Sequence, residues 1–165
     1  FVSTESKKIF NEAKKYQLRP SFLRPKILSG DKVQTESVVF HVLKKIKKYD
    51  IVILLQPTSP LRTSKDIDYA INKFVNYRLK TLVSVKRINK NIKIKKFILI
   101  KKFKVKNIAS KFVYNGAIYI SDVLHFSKVK NFISKKMGIY CMAENKSLDI
   151  DTVNDFYKAK NLLKK

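Results

Sequence analysis

The run Asp50-Ile-Val-Ile-Leu-Leu55 stops dead at Gln56-Pro-Thr-Ser-Pro-Leu-Arg62. A continuous β-branched and leucine run of this length suits a strand buried on both faces of a central parallel sheet. The two prolines after it block a helix and remove ladder donors, so the chain must leave the sheet in a loop of fixed shape. Helical spacing flanks this unit. Val38, Val39, Val42, Leu43 and Ile46 share one face of a helix predicted over 35–48, and Ile67, Ala70, Ile71 and Phe74 share one over 64–77. A short buried strand follows at 81–85. Strands alternating with helices give an α/β fold with a mostly parallel sheet flanked by helices, in one domain over 1–165.

The rest of the chain is read by the same signals. Ile9, Ala13 and Tyr16 or Leu18 keep helical spacing after Thr4 or Ser6, either of which suits an N-cap. Arg19 to Pro25 holds two prolines and is extended. Lysines alternate with Ile, Phe, Leu and Val from Ile92 to Val105, which predicts one or two half-exposed strands. Residues 112–120 form a strand interrupted at Asn115-Gly116, residues 122–136 hold helical pieces, and 137–142 form another strand with Cys141 as a buried thiol. Thr152 caps a final helix ending near Leu163, with Asp155 three residues on.

Charge excludes less than it suggests. Lys and Arg total 37 against 12 acids, a formal +25. Only five are arginines (Arg19, Arg24, Arg62, Arg78, Arg87), and the lysines spread over the whole chain. Runs such as Lys44, Lys45, Lys47 and Lys48 fall on the polar side of a helix, where a solvated face is expected. A positive surface alone gives only non-specific affinity for nucleic acid, so a nucleic-acid partner is not expected. One cysteine leaves no disulfide framework and no multi-cysteine zinc site. No stretch approaches the ~20 apolar residues of a membrane span. No signal-peptide pattern is present, so the expected place is the cytoplasm.

In open parallel sheets ligands bind beyond the carboxyl ends of the strands. That places Gln56-Pro-Thr-Ser-Pro-Leu-Arg62 in view, with Gln56 offering both a donor and an acceptor. Asp149, Asp151 and Asp155 crowd within seven residues of a chain poor in acids. In an extended segment Asp149 and Asp151 point the same way and call for a cation between them or an upward pKa shift, unless Asp149 simply meets one of the many lysines. Mg²⁺ fits, since it takes one or two carboxylates and leaves its other positions to water and phosphates. Arg24, between Leu23 and Pro25, offers a planar fork for phosphate or carboxylate. His41 and His125 have no catalytic companion at suitable spacing and are read as structural.

These segments, in order, resemble the acylneuraminate cytidylyltransferases, or CMP-sialic acid synthetases. The likeness lies in Val2-Ser-Thr, Phe22-Leu-Arg-Pro25, Leu28-Ser-Gly-Asp31, Leu54 to Thr63, Tyr114-Asn-Gly-Ala-Ile-Tyr-Ile120 and Ser147-Leu-Asp-Ile-Asp-Thr152. The resemblance implies a Rossmann-like nucleotidyltransferase that uses Mg²⁺ to join CMP from CTP to a nine-carbon keto-sugar acid, with release of pyrophosphate. It implies that Asp149 and Asp151 hold the metal at the reacting phosphates. It puts Arg24 and Thr35 on the nucleotide side, Gln56 between nucleotide and sugar, and Asn115 and Tyr119 at the sugar. It implies a homodimer, acting on sialic, legionaminic or pseudaminic acids. The family's glycine- and lysine-containing phosphate loop, with the first βα unit, would precede Phe1. The chain is therefore expected to be cut at its front and to have little activity alone. Rival readings are a ketodeoxyoctulosonate cytidylyltransferase, an inactive remnant of the family, and a basic nucleic-acid-binding domain.

Overall fold

A computed structural model describes residues 1–18, 21–46, 48–87, 112–134 and 137–164. The alternation predicted over 92–105 lies outside them, as do Arg19 and Pro20. The described residues form two compact units, one of Phe1–Tyr49 with Ser127–Lys130, the other of Asp50–Phe126 with Asn131–Lys165.

The first unit holds helix α1 (Lys7–Lys15), a short 3-10 turn at Lys26–Leu28 and helix α2 (Thr35–Lys45). Ser6 caps α1 by accepting from the Ile9 amide at 3.4 Å. Glu36 in the first turn of α2 and Lys44 and Lys45 in its last turn complement the helix dipole. Of the apolar face predicted for α2, Val39 is buried. His41 sits edge-on to Phe22, with ring centroids 5.5 Å apart. Burial, and then the charge of Lys45, lowers the His41 pKa. A neutral ring among aromatics is the structural role its sequence position suggests.

The second unit is built on four strands, β1 (Ile51–Leu54), β2 (Thr81–Arg87), β3 (Phe112–Asp122) and β4 (Gly138–Cys141), in the order β1-β3-β2-β4. Helices α3 (Ser64–Asn76) and α5 (Val153–Leu163) connect or follow them, and α4 (Val123–Val129) begins directly after β3. The α/β class is as expected, and β2 and β4 pair in parallel. β3 runs against both β1 and β2, so three strands share one direction and one opposes them. β2 lies between two neighbours and is buried from Thr81 to Val85. β1, expected at the centre, is the end strand of the described sheet and only half-buried at all four positions. An apolar run marks a strand with two covered faces, but it does not tell an end strand from a middle one. Cys141 is exposed rather than buried, because β4 is also an end strand and Cys141 is its last residue.

Ala70, Phe74, Leu82, Ala117, Ile118, Ile120 and Met142 form the core, with Ile51, Ile53, Ile67 and Ile71 packed on it. The predicted face of α3 is thus the face that meets the sheet. Each larger side chain buried here contributes roughly 1.5–3 kcal/mol. Both α3 and α5 begin with full capping boxes, Thr63 with Asp66 and Thr152 with Asp155.

Candidate functional site

The interruption predicted at Asn115-Gly116 is a bulge inside a continuous strand. Val83 faces Tyr119, whereas Val85 faces Tyr114, so two steps along β2 match five along β3. The surplus residues of β3 lose their regular ladder partners there, and buried backbone groups must bond elsewhere. Side chains supply the bonds. Ser84 Oγ accepts from the Ile118 amide at 2.7 Å. Asn115 Oδ1 accepts from the Ala117 amide at 3.3 Å. Arg62 Nη1 donates to the Ala117 carbonyl at 3.3 Å, and Ser59 Oγ to the Asn115 carbonyl at 3.3 Å. Gly116, at φ +73°, takes the left-handed conformation that makes the turn possible.

The loop after β1 closes onto this bulge. The Ser59 amide donates to the Gln56 carbonyl at 3.3 Å, a tight turn with Pro57 at the position that its fixed φ favours. Arg62 Nη1 bonds the carbonyls of Gln56 (2.7 Å) and Ser59 (2.8 Å) as well as that of Ala117. The surface ion pair that an arginine here would ordinarily make is replaced by an internal clamp on the backbone. Partial burial lowers the Arg62 pKa, though the guanidinium stays charged at neutral pH.

The segment before α5 joins the same place. The Ile150 amide donates to the Thr58 carbonyl at 2.8 Å. Asp149 Oδ1 lies 3.5 Å from Ser59 Oγ. A Cβ built on Gly116 would stand 3.0 Å from Asp149 Oδ2, 3.0 Å from Gln56 Oε1 and 3.4 Å from Ser59 Oγ. Three oxygens of different kinds, a carboxylate, an amide and a hydroxyl, therefore converge on the bare face of one glycine. All are hard donors, the chemistry that Mg²⁺ accepts. Asp149 is half-buried and Asp151 exposed. Among the described residues neither makes an ion pair, despite the excess of lysine.

The other predicted site residues sit differently. Asn115 is 3% exposed, and its amide bonds Ser84, Ser147 and Met142. Its side chain thus faces protein, where the resemblance had implied a sugar. Tyr119 is half-buried, its ring 5.6 Å from that of Phe132. In the first unit the Arg24 guanidinium bonds Glu5 and, at 3.2 Å, Ser29 Oγ. Its backbone amide donates to Thr4 O at 2.8 Å. Thr35 opens α2 and is half-buried. The sequence reading passed over Ser59 and Gly116. Serine between two prolines and glycine after asparagine were the available signals, one for a hydroxyl held in place and one for a left-handed turn. A separate apolar hollow of about 700 Å³, lined by Pro57, Pro60, Ile150, Phe156, Ala159 and Leu163 among others, lies beside the loop. Gln56, Asp149 and Asp151 do not line it.

A sequence profile described as cytidylyltransferase matches residues 1–165. The chain belongs to this family. It is 32% identical over 145 residues to an N-acylneuraminate cytidylyltransferase of Escherichia coli O18:K1:H7, an alignment covering 81% of this chain and 35% of that protein. It is 27% identical over 167 residues to the N-acylneuraminate cytidylyltransferase of Streptococcus agalactiae serotype III, covering 94% of this chain and 40% of the other. It is 28% identical over 180 residues to the CMP-N,N'-diacetyllegionaminic acid synthase of Legionella pneumophila, covering 98% of this chain and 76% of that enzyme. The chain thus spans two fifths or less of the N-acylneuraminate cytidylyltransferases it matches, and about three quarters of the legionaminic acid enzyme. No helix among the described residues is long and apolar enough to cross a membrane.

Proposed function

We propose that the chain carries part of the catalytic centre of a CTP-dependent transferase. The enzyme joins CMP to the anomeric hydroxyl of a nine-carbon keto-sugar acid of the sialic, legionaminic or pseudaminic type and releases pyrophosphate. The observation that carries the proposal is the meeting of Gln56, Ser59 and Asp149 around Gly116, within a chain of the cytidylyltransferase family. The relatives' names supply the acylneuraminic and legionaminic types.

Phosphoryl transfer of this kind asks chiefly for positioning and for neutralisation of charge on the phosphates. In this reading Asp149 and Asp151 hold Mg²⁺, which when bound screens the phosphate charge. Gln56, fixed by its turn and by the Arg62 clamp, presents its amide between nucleotide and sugar. Arg24 and Thr35 serve the nucleotide side, and Tyr119 the sugar. The enzyme works as a cytoplasmic homodimer.

The test is a transfer assay on the protein at its natural length, with CTP against other nucleoside triphosphates and with several nonulosonic acids and ketodeoxyoctulosonate as acceptors. CTP with a nonulosonic acid should be preferred. Asp151→Asn should lower kcat/KM about a hundredfold, the equivalent of roughly 2.7 kcal/mol in the barrier. Preference for ketodeoxyoctulosonate would move the protein to the neighbouring sugar class. Nucleic-acid binding with no nucleotide transfer would replace the enzyme reading by the basic-domain one.

A further inference from the structure

We infer that Asn115 is a positioning residue, which brackets the carboxylate of Asp149 from both sides and does not itself touch substrate. The inference rests on the transferase reading above. Asn115 is 3% exposed and Ser147 is 1% exposed, so neither side chain is open to a ligand. The Asn115 amide is fully engaged. Oδ1 accepts from Ser84 Oγ at 2.6 Å and from the Ala117 amide at 3.3 Å. Nδ2 donates to Ser147 Oγ at 2.9 Å and lies 3.3 Å from Met142 Sδ. Ser147 Oγ in turn donates to the Ala143 carbonyl at 2.8 Å.

These bonds form a bracket. Through its side chain Asn115 fixes Ser147, two residues before Asp149. Through its carbonyl it accepts from Ser59 Oγ, which also reaches Asp149 Oδ1 at 3.5 Å. The next residue is Gly116, whose bare face meets Asp149 Oδ2. One asparagine therefore ties down the segment carrying Asp149 at Ser147, and also the bulge against which that carboxylate rests. A buried polar network has this force only when every member is satisfied, and removing one partner leaves another without a bond. An aspartate at 115 would keep the Oδ1 acceptor and lose the donor to Ser147. An alanine at 147 removes the same bond from the other end.

The experiment compares Asn115→Asp, Ser147→Ala and the double variant with the wild type. Three readouts apply: amide hydrogen exchange over 147–151, CTP affinity by calorimetry at limiting and saturating Mg²⁺, and steady-state kinetics. Both single variants should speed exchange over 147–151. They should weaken CTP binding about tenfold at limiting Mg²⁺, and largely recover it at saturating Mg²⁺. The KM for the sugar acid should stay within twofold of wild type, and the double variant should be no worse than the poorer single one. A rise in sugar-acid KM in Asn115→Asp with Ser147→Ala silent would overturn the inference and make Asn115 a sugar contact. Lower melting temperature in the variants with unchanged exchange at 147–151 and unchanged Mg²⁺ dependence would also overturn it, since the bond would then serve the fold alone. If the wild type shows no Mg²⁺-dependent CTP binding, the transferase reading fails. The exchange data then decide alone whether Asn115 and Ser147 hold the Asp149 segment.

Discussion

At the scale of single residues the site depends on what is missing from Gly116. Its φ of +73° disfavours any side chain, and the space a Cβ needs is bounded by Asp149 Oδ2 and Gln56 Oε1, both at 3.0 Å. Gly116→Ala therefore combines backbone strain with displacement of two site oxygens. It should cost about 1–3 kcal/mol in stability. Its loss of Mg²⁺-dependent CTP affinity should exceed the loss of folded protein at the assay temperature. Urea unfolding and calorimetry on the same preparation check the two effects. A variant with full CTP affinity would show that the three oxygens do not act together.

At the scale of elements, α3 is tied to the turn at Glu144–Lys146 by a buried carboxylate. Asp66, the capping-box acid of α3, accepts from the Thr63 amide at 2.8 Å and from Thr63 Oγ1 at 2.6 Å. It also accepts from Tyr140 Oη at 3.2 Å, and Lys146 Nζ lies 3.1 Å away. Burial pushes the Asp66 pKa up, but the hydrogen bonds from Thr63 and the ammonium of Lys146 more than reverse this, and the net shift is downward. Tyr140 responds oppositely: burial, then the nearby Asp66 charge, pushes its pKa up to about 12. A depressed carboxylate stabilises the fold above its unfolded pKa, near 3.9, and that stability is lost as pH falls through the folded value. Asp66→Asn should therefore melt below the wild type at pH 7, by the equivalent of about 2 kcal/mol. The gap should narrow below pH 4, where the wild-type carboxyl is protonated too. Parallel pH curves would show that Asp66 acts through shape alone.

The same elements show what the sequence discloses and what it withholds. The capping box at Thr152 and the apolar face of α3 were legible because caps and periodicity are local signals, written within a few residues. The closeness of Gln56 and Asp149 was expected only through strand ends and family likeness. The opposed direction of β3 was not legible, since a strand's own residues do not state the direction of its neighbours. Nor was the exposure of Cys141, which depends on β4 lying at the end of the described sheet. The surroundings of Asn115 were not legible for a related reason. An asparagine beside a glycine reads as a turn or a ligand contact, and only the register shift between Val83 and Val85 shows its amide replacing the ladder and holding Ser147.

At the scale of the whole molecule, the charge and the site make separate demands. A formal +25, with five ion pairs among the described residues, leaves most of the described lysines exposed to water. Self-repulsion of that size opposes compactness and attracts any polyanion, and both effects are screened over a Debye length of about 8–10 Å near physiological salt. Raising NaCl from about 20 mM to 200 mM should therefore raise the melting temperature and release bound DNA or RNA, with log affinity falling linearly in log salt. Asp151→Asn changes one exposed charge among many and should leave that salt line in place. The same substitution should remove the Mg²⁺ dependence of CTP binding, which needs a carboxylate at one position and not a surplus of cations everywhere. Fluorescence anisotropy with a labelled oligonucleotide, run beside the CTP titration, reads both effects on one protein. If Asp151→Asn changes the two together, the lysine surface and the carboxylate pair serve a single polyanion site, and charge rather than geometry governs recognition.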